Sequence, residues 1–182
     1  GETQGYYYKP STDSYNFLPL SDPTPQALNS GPRIGPIVIS EIMYNPSGDG
    51  GAEYIELLNV TSQGVTLYDA TSEMAWRITD GIEYEFPAGA TIALAPGERL
   101  ILTRNIPAFN AEFSLPTGTP LLEWSTGKLS NNGEAIQLGR PGPTDANNFI
   151  QFVRVDRANY KDDAPWPTSP DGSGPSLTKI SE

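Results

Sequence analysis

The sequence predicts an all-β fold, an Ig-like β-sandwich with an extended N-terminal arm. Three observations carry that expectation. Roughly seven to nine short apolar or alternating runs follow one another at intervals of about 8–12 residues, with turn residues between them. Eighteen prolines and eighteen glycines punctuate the 182 residues without the Gly-X-Y period of a collagen. Finally, no stretch holds a helical period for more than a turn or two, the best candidates being Asn105–Glu112 and Pro143–Phe149. A closed barrel is the alternative that the same pattern allows.

Residues 1–35 carry Tyr6-Tyr7-Tyr8, a polar stretch and then Pro19, Pro23, Pro25 and Pro32, the composition of an arm or linker. They are read as a Pro-rich arm or linker, the end of a preceding domain being one reading of it, with residues 36–182 as the sandwich domain. The alternative is that Tyr6 to Phe17 supplies an extra strand or covers a sheet edge.

The domain opens with Val38 to Asn59, VISEIMYNPSGDGGAEYIELLN. Successive strand side chains point to opposite faces, so Val38, Ser40, Ile42 and Tyr44 are expected on one side and Ile39, Glu41, Met43 and Asn45 on the other. Pro46 closes the run, and Ser47-Gly48-Asp49-Gly50-Gly51 is the most turn-prone pentapeptide of the chain. Further strands are predicted at 65–68, 75–78, 84–86, 99–102, 121–124, 134–138, 149–155 and 177–180. Between them lie Ser62-Gln63-Gly64, Asp80-Gly81, Ala95-Pro96-Gly97 and Asn131-Asn132-Gly133, all turn formers.

Composition excludes several kinds of chemistry. With no cysteine there is no disulfide framework, thiolate nucleophile or thiolate metal site; with no histidine there is no Ser-His-Asp triad and no imidazole ligand. Eleven basic residues stand against twenty-two acidic ones, and the net charge of −11 disfavours duplex nucleic acid or an anionic membrane as partner. The arginines and lysines, among them Arg99, Arg104, Arg140, Arg154, Arg157, Lys161 and Lys179, are dispersed along the chain. No apolar run is long enough to insert in a bilayer.

VISEIMYNP, EYIELLN, the Trp-containing strand Trp76-Arg77-Ile78 before Asp80-Gly81, YEFPAGATIALAPGERLILT and LSNNGEAIQL occur in that order. Together they resemble the lamin-tail domain in its bacterial, secreted form, over Ile37 to about Ile180 including the ending DDAPWPTSPDGSGPSLTKI. The resemblance implies an Ig-like sandwich without catalysis, serving as a binding or spacer module beside other domains in cell-surface or exported proteins.

Several side chains are candidates for chemistry. Asp49, Glu53 and Asp80 are the metal candidates, because calcium takes oxygen ligands and glycine-rich loops let carbonyls turn inward; no other cofactor is expected. Their spacing lacks the dense Asp-x-Asp-x-Asp pattern of an EF-hand, and acidic turn residues are commonly just solvated. Glu41 and Glu56 raise a general acid and base pair, against which stands the need for a deep cleft; pairing with Arg or bonding to backbone is the plainer reading. Trp124 and Trp166 are the candidate contact residues, since exposed coplanar aromatics would stack on sugar rings, whereas Trp76, on the face of Met74 and Ile78, is expected in the core. Trp166 lies between Pro165 and Pro167 and so cannot lie in a central strand. The expected role is a structural, adhesion or protein-binding module of an extracellular or cell-surface protein. Its partner would be a protein or a cell-surface glycan; a carbohydrate-binding or calcium-stabilised module of a cell-surface protein is the alternative.

Overall fold

The computed structural model describes residues 3–9, 14–30, 33–48, 51–89, 92–147, 149–172 and 174–179, with Lys9 and residues 14–18 described by their backbone alone. Two compact units divide the chain, Gly1–Gly35 and Pro36–Glu182.

The first unit is a hairpin of β1 (Gln4–Lys9) and β2 (Ser14–Pro19), in which Tyr6 stands opposite Phe17 and Tyr8 opposite Tyr15. Pro19 lies at the end of β2 and Pro23 and Pro25 in the loop that follows, where no ladder donor is needed, while Pro32 lies outside the described residues. The loop folds back through Asn29, whose Nδ2 donates to the Tyr6 carbonyl at 2.9 Å, and Leu20 is buried. Gly5 leaves room for this approach: a Cβ there would lie 2.7 Å from Leu20 Cδ1 and 2.9 Å from Asn29 Nδ2, so both side chains would have to shift.

The second unit is a sandwich of two main sheets. One contains β3 (Ile37–Met43), β4 (Tyr54–Asn59), β11 (Arg99–Thr103), β12 (Leu121–Glu123) and β15 (Leu177–Thr178), in the order β12-β11-β4-β3-β15. All its pairs are antiparallel except β11 with β12. The other contains β8 (Arg77–Thr79), β9 (Tyr84–Glu85), β13 (Glu134–Thr144) and β14 (Ile150–Tyr160), in the order β14-β13-β8-β9. Two short ladders, β5 (Val65–Thr66) with β10 (Ala93–Leu94) and β6 (Tyr68–Asp69) with β7 (Met74–Ala75), complete the unit. Ile39, Ile55, Leu57 and Leu102 from the first sheet and Ile78, Ile136 and Leu138 from the second share one core.

The two runs that flank the Gly-rich pentapeptide pair antiparallel as β3 and β4, but the alternation in β3 is broken once. Ile39 pairs with Leu57 and Glu41 with Glu56, leaving Ser40 as a bulge. One extra residue turns the faces over, so Ile37 and Ile39 before it and Ile42 and Tyr44 after it all reach the core. Strict alternation would have put Ile39 and Ile42 on opposite faces. The bulge also frees the Ile39 N–H to donate to Asp156 Oδ2 at 2.8 Å, and Ser40 O to accept from Lys179 N at 2.8 Å. Lys179 Nζ reaches both Asp156 oxygens at 3.0 Å, so β14 is latched to the β3 and β15 corner.

Trp76 marks the point where the chain leaves one ladder for another. β7 before it pairs with β6, and β8 after it pairs with β13 and β9. The predicted Asp80-Gly81 turn connects β8 and β9, with both residues at positive φ, 61° and 70°, the geometry for which Asp-Gly is selected.

The predicted helical turn at 105–112 is α1 (Ile106–Glu112), capped by Asn105, whose side chain accepts from Ala108 N at 2.8 Å, with Pro107 in its first turn. Phe109 and Phe113, four residues apart, pack edge-on against Tyr54 at 5.4 and 5.3 Å. With Met43 and Ile101 they form a second, smaller core on the outer face of the five-stranded sheet. The other predicted helical turn, 143–149, shows no helix among its described residues. Asp145 Oδ1 accepts from Asn147 N at 2.8 Å and Phe149 N at 2.9 Å, and such local bonds compete with a helix for the backbone.

Candidate functional site

The acidic residues singled out by the sequence are built into the framework. Glu53 precedes β4 and is 2% exposed. Its Oε1 lies 3.1 Å from Arg104 Nη1, and its Oε2 accepts from Leu129 N at 2.7 Å. Its backbone carbonyl accepts from Arg104 N at 2.9 Å and from the Thr103 hydroxyl at 2.8 Å. One side chain thus ties the entry of β4 to the end of β11 and to the loop before β13. Burial pushes the Glu53 pKa above the ordinary glutamate value, while the Leu129 N–H and the Arg104 charge pull it back.

Asp80 is engaged elsewhere, in an ion pair with Arg157 at 3.1 Å. The third metal candidate, Asp49, lies outside the described residues. Among the described residues no three Asp or Glu side chains come together in a metal-holding group.

Glu41 and Glu56 face one another across β3 and β4, an arrangement that costs energy between like charges unless donors surround it. Donors do surround it. Glu41 Oε1 accepts from the Tyr54 hydroxyl at 2.5 Å and from the Ser176 hydroxyl, while Glu56 Oε1 accepts from Ser40 Oγ at 2.8 Å and Arg99 Nε at 3.1 Å. Burial, and then the bond to Glu41, pushes the Tyr54 phenol well above its usual range, so it stays a donor. Glu56 has the Arg partner of the plainer reading, and Glu41 is held by hydroxyls. Ser176 joins the C-terminal segment to β3 and β4 through this cluster.

The tryptophans divide two to one. Trp76 is in the core, as expected. Trp124, expected as a contact residue, is 1% exposed, and its Nε1 donates to Gly127 O at 3.3 Å. It fills the core beside β12, so the contact reading for Trp124 is corrected: no ring face is open to a ligand. Trp166 is 37% exposed, in a segment containing the cis bond Ala164–Pro165. With two of three tryptophans inside, they form no exposed coplanar set.

Two structural centres lie outside the residues that the sequence singles out. Asn59, at the end of EYIELLN and nearly buried, donates from Nδ2 to Gln63 O at 2.7 Å and Leu94 O at 2.9 Å. Its Oδ1 accepts from Thr61 N at 2.9 Å and from the Thr61 hydroxyl at 2.8 Å. An Asn followed two residues later by Thr in a turn is a local signal that could have marked it. Tyr160 stacks on Tyr44 at 4.9 Å between ring centres, and its hydroxyl lies 2.8 Å from Ser130 O and 2.9 Å from Glu134 Oε1.

A family model described as Lamin Tail Domain matches residues 31–156, from ahead of β3 into β14. No individual curated protein matches the chain.

Proposed function

This chain belongs to the lamin tail domain family, and from that premise we propose that it is a non-catalytic structural and protein-binding module, carried beside other domains in an exported, cell-surface bacterial protein. The family's Ig-like domain is a non-enzymatic scaffold, which is compatible with such a role. One observation supports the reading most: among the acidic groups best placed for chemistry, Glu53 commits both carboxylate oxygens to Arg104 and Leu129, and Glu41 and Glu56 each commit Oε1, to Tyr54 and Ser176 and to Ser40 and Arg99. Carboxylates held in this way brace strands rather than meet a substrate. Binding then falls to sheet faces and edges, where a partner protein adds area without any reacting group.

The reading is tested by locating the protein in the cell that makes it. Antibodies against the sandwich should label intact cells or the culture medium, and protease added outside should remove the signal. A signal confined to the interior and protected from protease would overturn it.

A further inference from the structure

The two main sheets have four edges, and they are unequal. β12, β15 and β9 are three, two and two residues long, while β14 runs for eleven. Short edges are poor templates for another strand, and long ones are good templates. Among the described residues β14 pairs with one strand only, β13.

The latch between Asp156, the Ile39 N–H and Lys179 holds the middle of β14, and Tyr160 at its far end is buried. The preceding stretch is Ile150-Gln151-Phe152-Val153-Arg154-Val155, without Pro or Gly and with one charge. Its apolar side chains are half-buried, and Gln151 and Arg154 are exposed. Such composition favours strand pairing.

Charge decides what would pair there. Arg154 and Arg77 stand opposite the same residue of β13, Gly139, from either side. They are therefore on one face, about 10 Å apart at two strand spacings. The shift in register after Leu138 sets Arg157 on that face as well, opposite Gln137. Arginines dispersed along the sequence thus gather on the outer face of the four-stranded sheet. Arg77 is paired with Glu85 and lies over the Phe152 ring, 4.2 Å from its centre, and Arg157 is paired with Asp80. Arg154 forms no ion pair among the described residues.

On that face Arg77, Arg154 and Arg157 stand against Glu85 and Asp80, an excess of one positive charge on a chain of net charge −11. A second copy is a poor occupant. Two β14 edges pairing antiparallel about Arg154 would bring arginine against arginine, which disfavours that pairing. An acidic strand meets the opposite situation.

We propose that the Ile150–Val155 edge of β14 is a docking site for an extended acidic segment of a partner polypeptide, which adds as a further strand and sets a carboxylate against Arg154. The inference rests on the protein-binding reading above and names its surface and partner chemistry. Main-chain hydrogen bonds supply the attachment, and the arginine face selects charge.

The test is a titration of the isotope-labelled protein, followed by amide shifts, with an eight-residue peptide alternating valine and glutamate, its valine–lysine twin, and the glutamate peptide with a central proline. Binding of the glutamate peptide with shifts centred on 150–155, no binding of the lysine twin, and loss of at least tenfold in affinity with the proline supports the proposal. In Arg154→Glu, an exposed position whose fold is checked by its melting curve, the preference between the two charged peptides should reverse. Shifts centred elsewhere, no binding of either peptide, or equal binding by Arg154→Glu would overturn it. So would a dimer at micromolar concentration that Arg154→Glu changes, since the edge would then belong to a second copy. The labelling of intact cells does not depend on β14, so failure here with surface labelling intact removes this surface and leaves the module reading standing.

Discussion

Replacing Glu53 by alanine should be among the most damaging single changes to the sandwich. The carboxylate is buried, and its loss leaves the Leu129 N–H without an acceptor in the core, which costs about 1–3 kcal/mol. Breaking a fully buried ion pair costs about 3–5 kcal/mol, but the Arg104 side chain is 36% exposed and can turn toward water, so only part of that applies. Together the two effects give about 3 kcal/mol. For a domain of this size each kcal/mol lowers Tm by about 2–4 °C, so a fall of about 6–12 °C is expected. Glu53→Gln keeps the shape and an acceptor for Leu129 and should lose about half as much. Urea unfolding followed by tryptophan fluorescence reads both variants against the wild type. Glu53→Ala within 0.5 kcal/mol of wild type would refute the reasoning, and Glu53→Gln as damaging as Glu53→Ala would shift the weight from the Leu129 bond to the charge.

The pH dependence of that pair has a definite sign. Burial raises the Glu53 pKa, so near the ordinary value of 4.5 the folded protein holds a proton that the unfolded chain has begun to release. Ionisation therefore costs the fold, and this group's contribution falls as pH rises from 4.5 through the folded pKa. The stability gap between wild type and Glu53→Gln should widen as pH is lowered to that value, and a gap that narrows contradicts the burial argument. Asp69 titrates the other way: N–H bonds from Ser72 and Thr71 hold its pKa low, so its contribution is present above 3.8 and fades as pH falls below it. Asp69→Ala should cost about 1 kcal/mol at pH 7, and matched melting curves at pH 7 and pH 3 should show the difference shrink in acid. Trp124→Ala should cost about 3–5 kcal/mol by denaturant unfolding, while Trp166→Ala should stay near 1 kcal/mol and remove most acrylamide-quenchable fluorescence. Gly133→Ala, at φ 93° with a Cβ 2.5 Å from Tyr160 O, should lower Tm by more than any other alanine replacement in a turn.

Local chemistry explains which features were readable in advance. The Asp80-Gly81 turn and the helical turn from Asn105 each depend on a few adjacent residues, and each appears where the sequence places it. The Ser40 bulge does not: its cause lies in Asp156 and Lys179, more than a hundred residues away, and only their contacts show why one extra residue is accommodated. Trp124 misleads for the same reason. Nothing beside it in sequence says that β12 is parallel to β11 and turns the indole into the core. Glu53 is the sharpest case, since a glutamate in a Gly-rich turn region reads as solvated until Arg104 and Leu129 are brought to it from fifty-one and seventy-six positions onward.

The central claim is that the acidic side chains brace the sandwich rather than serve a ligand, and it is tested most directly by thermal unfolding in millimolar calcium against chelator. Saturation at a hundredfold excess over the dissociation constant would add about 2.7 kcal/mol, a rise of about 5–11 °C. With Glu53 committed to Arg104 and Leu129, and Asp80 to Arg157, the account predicts the same Tm in both to within about a degree. A rise of many degrees in calcium, abolished by Asp80→Ala, would contradict it and make those carboxylates ligands.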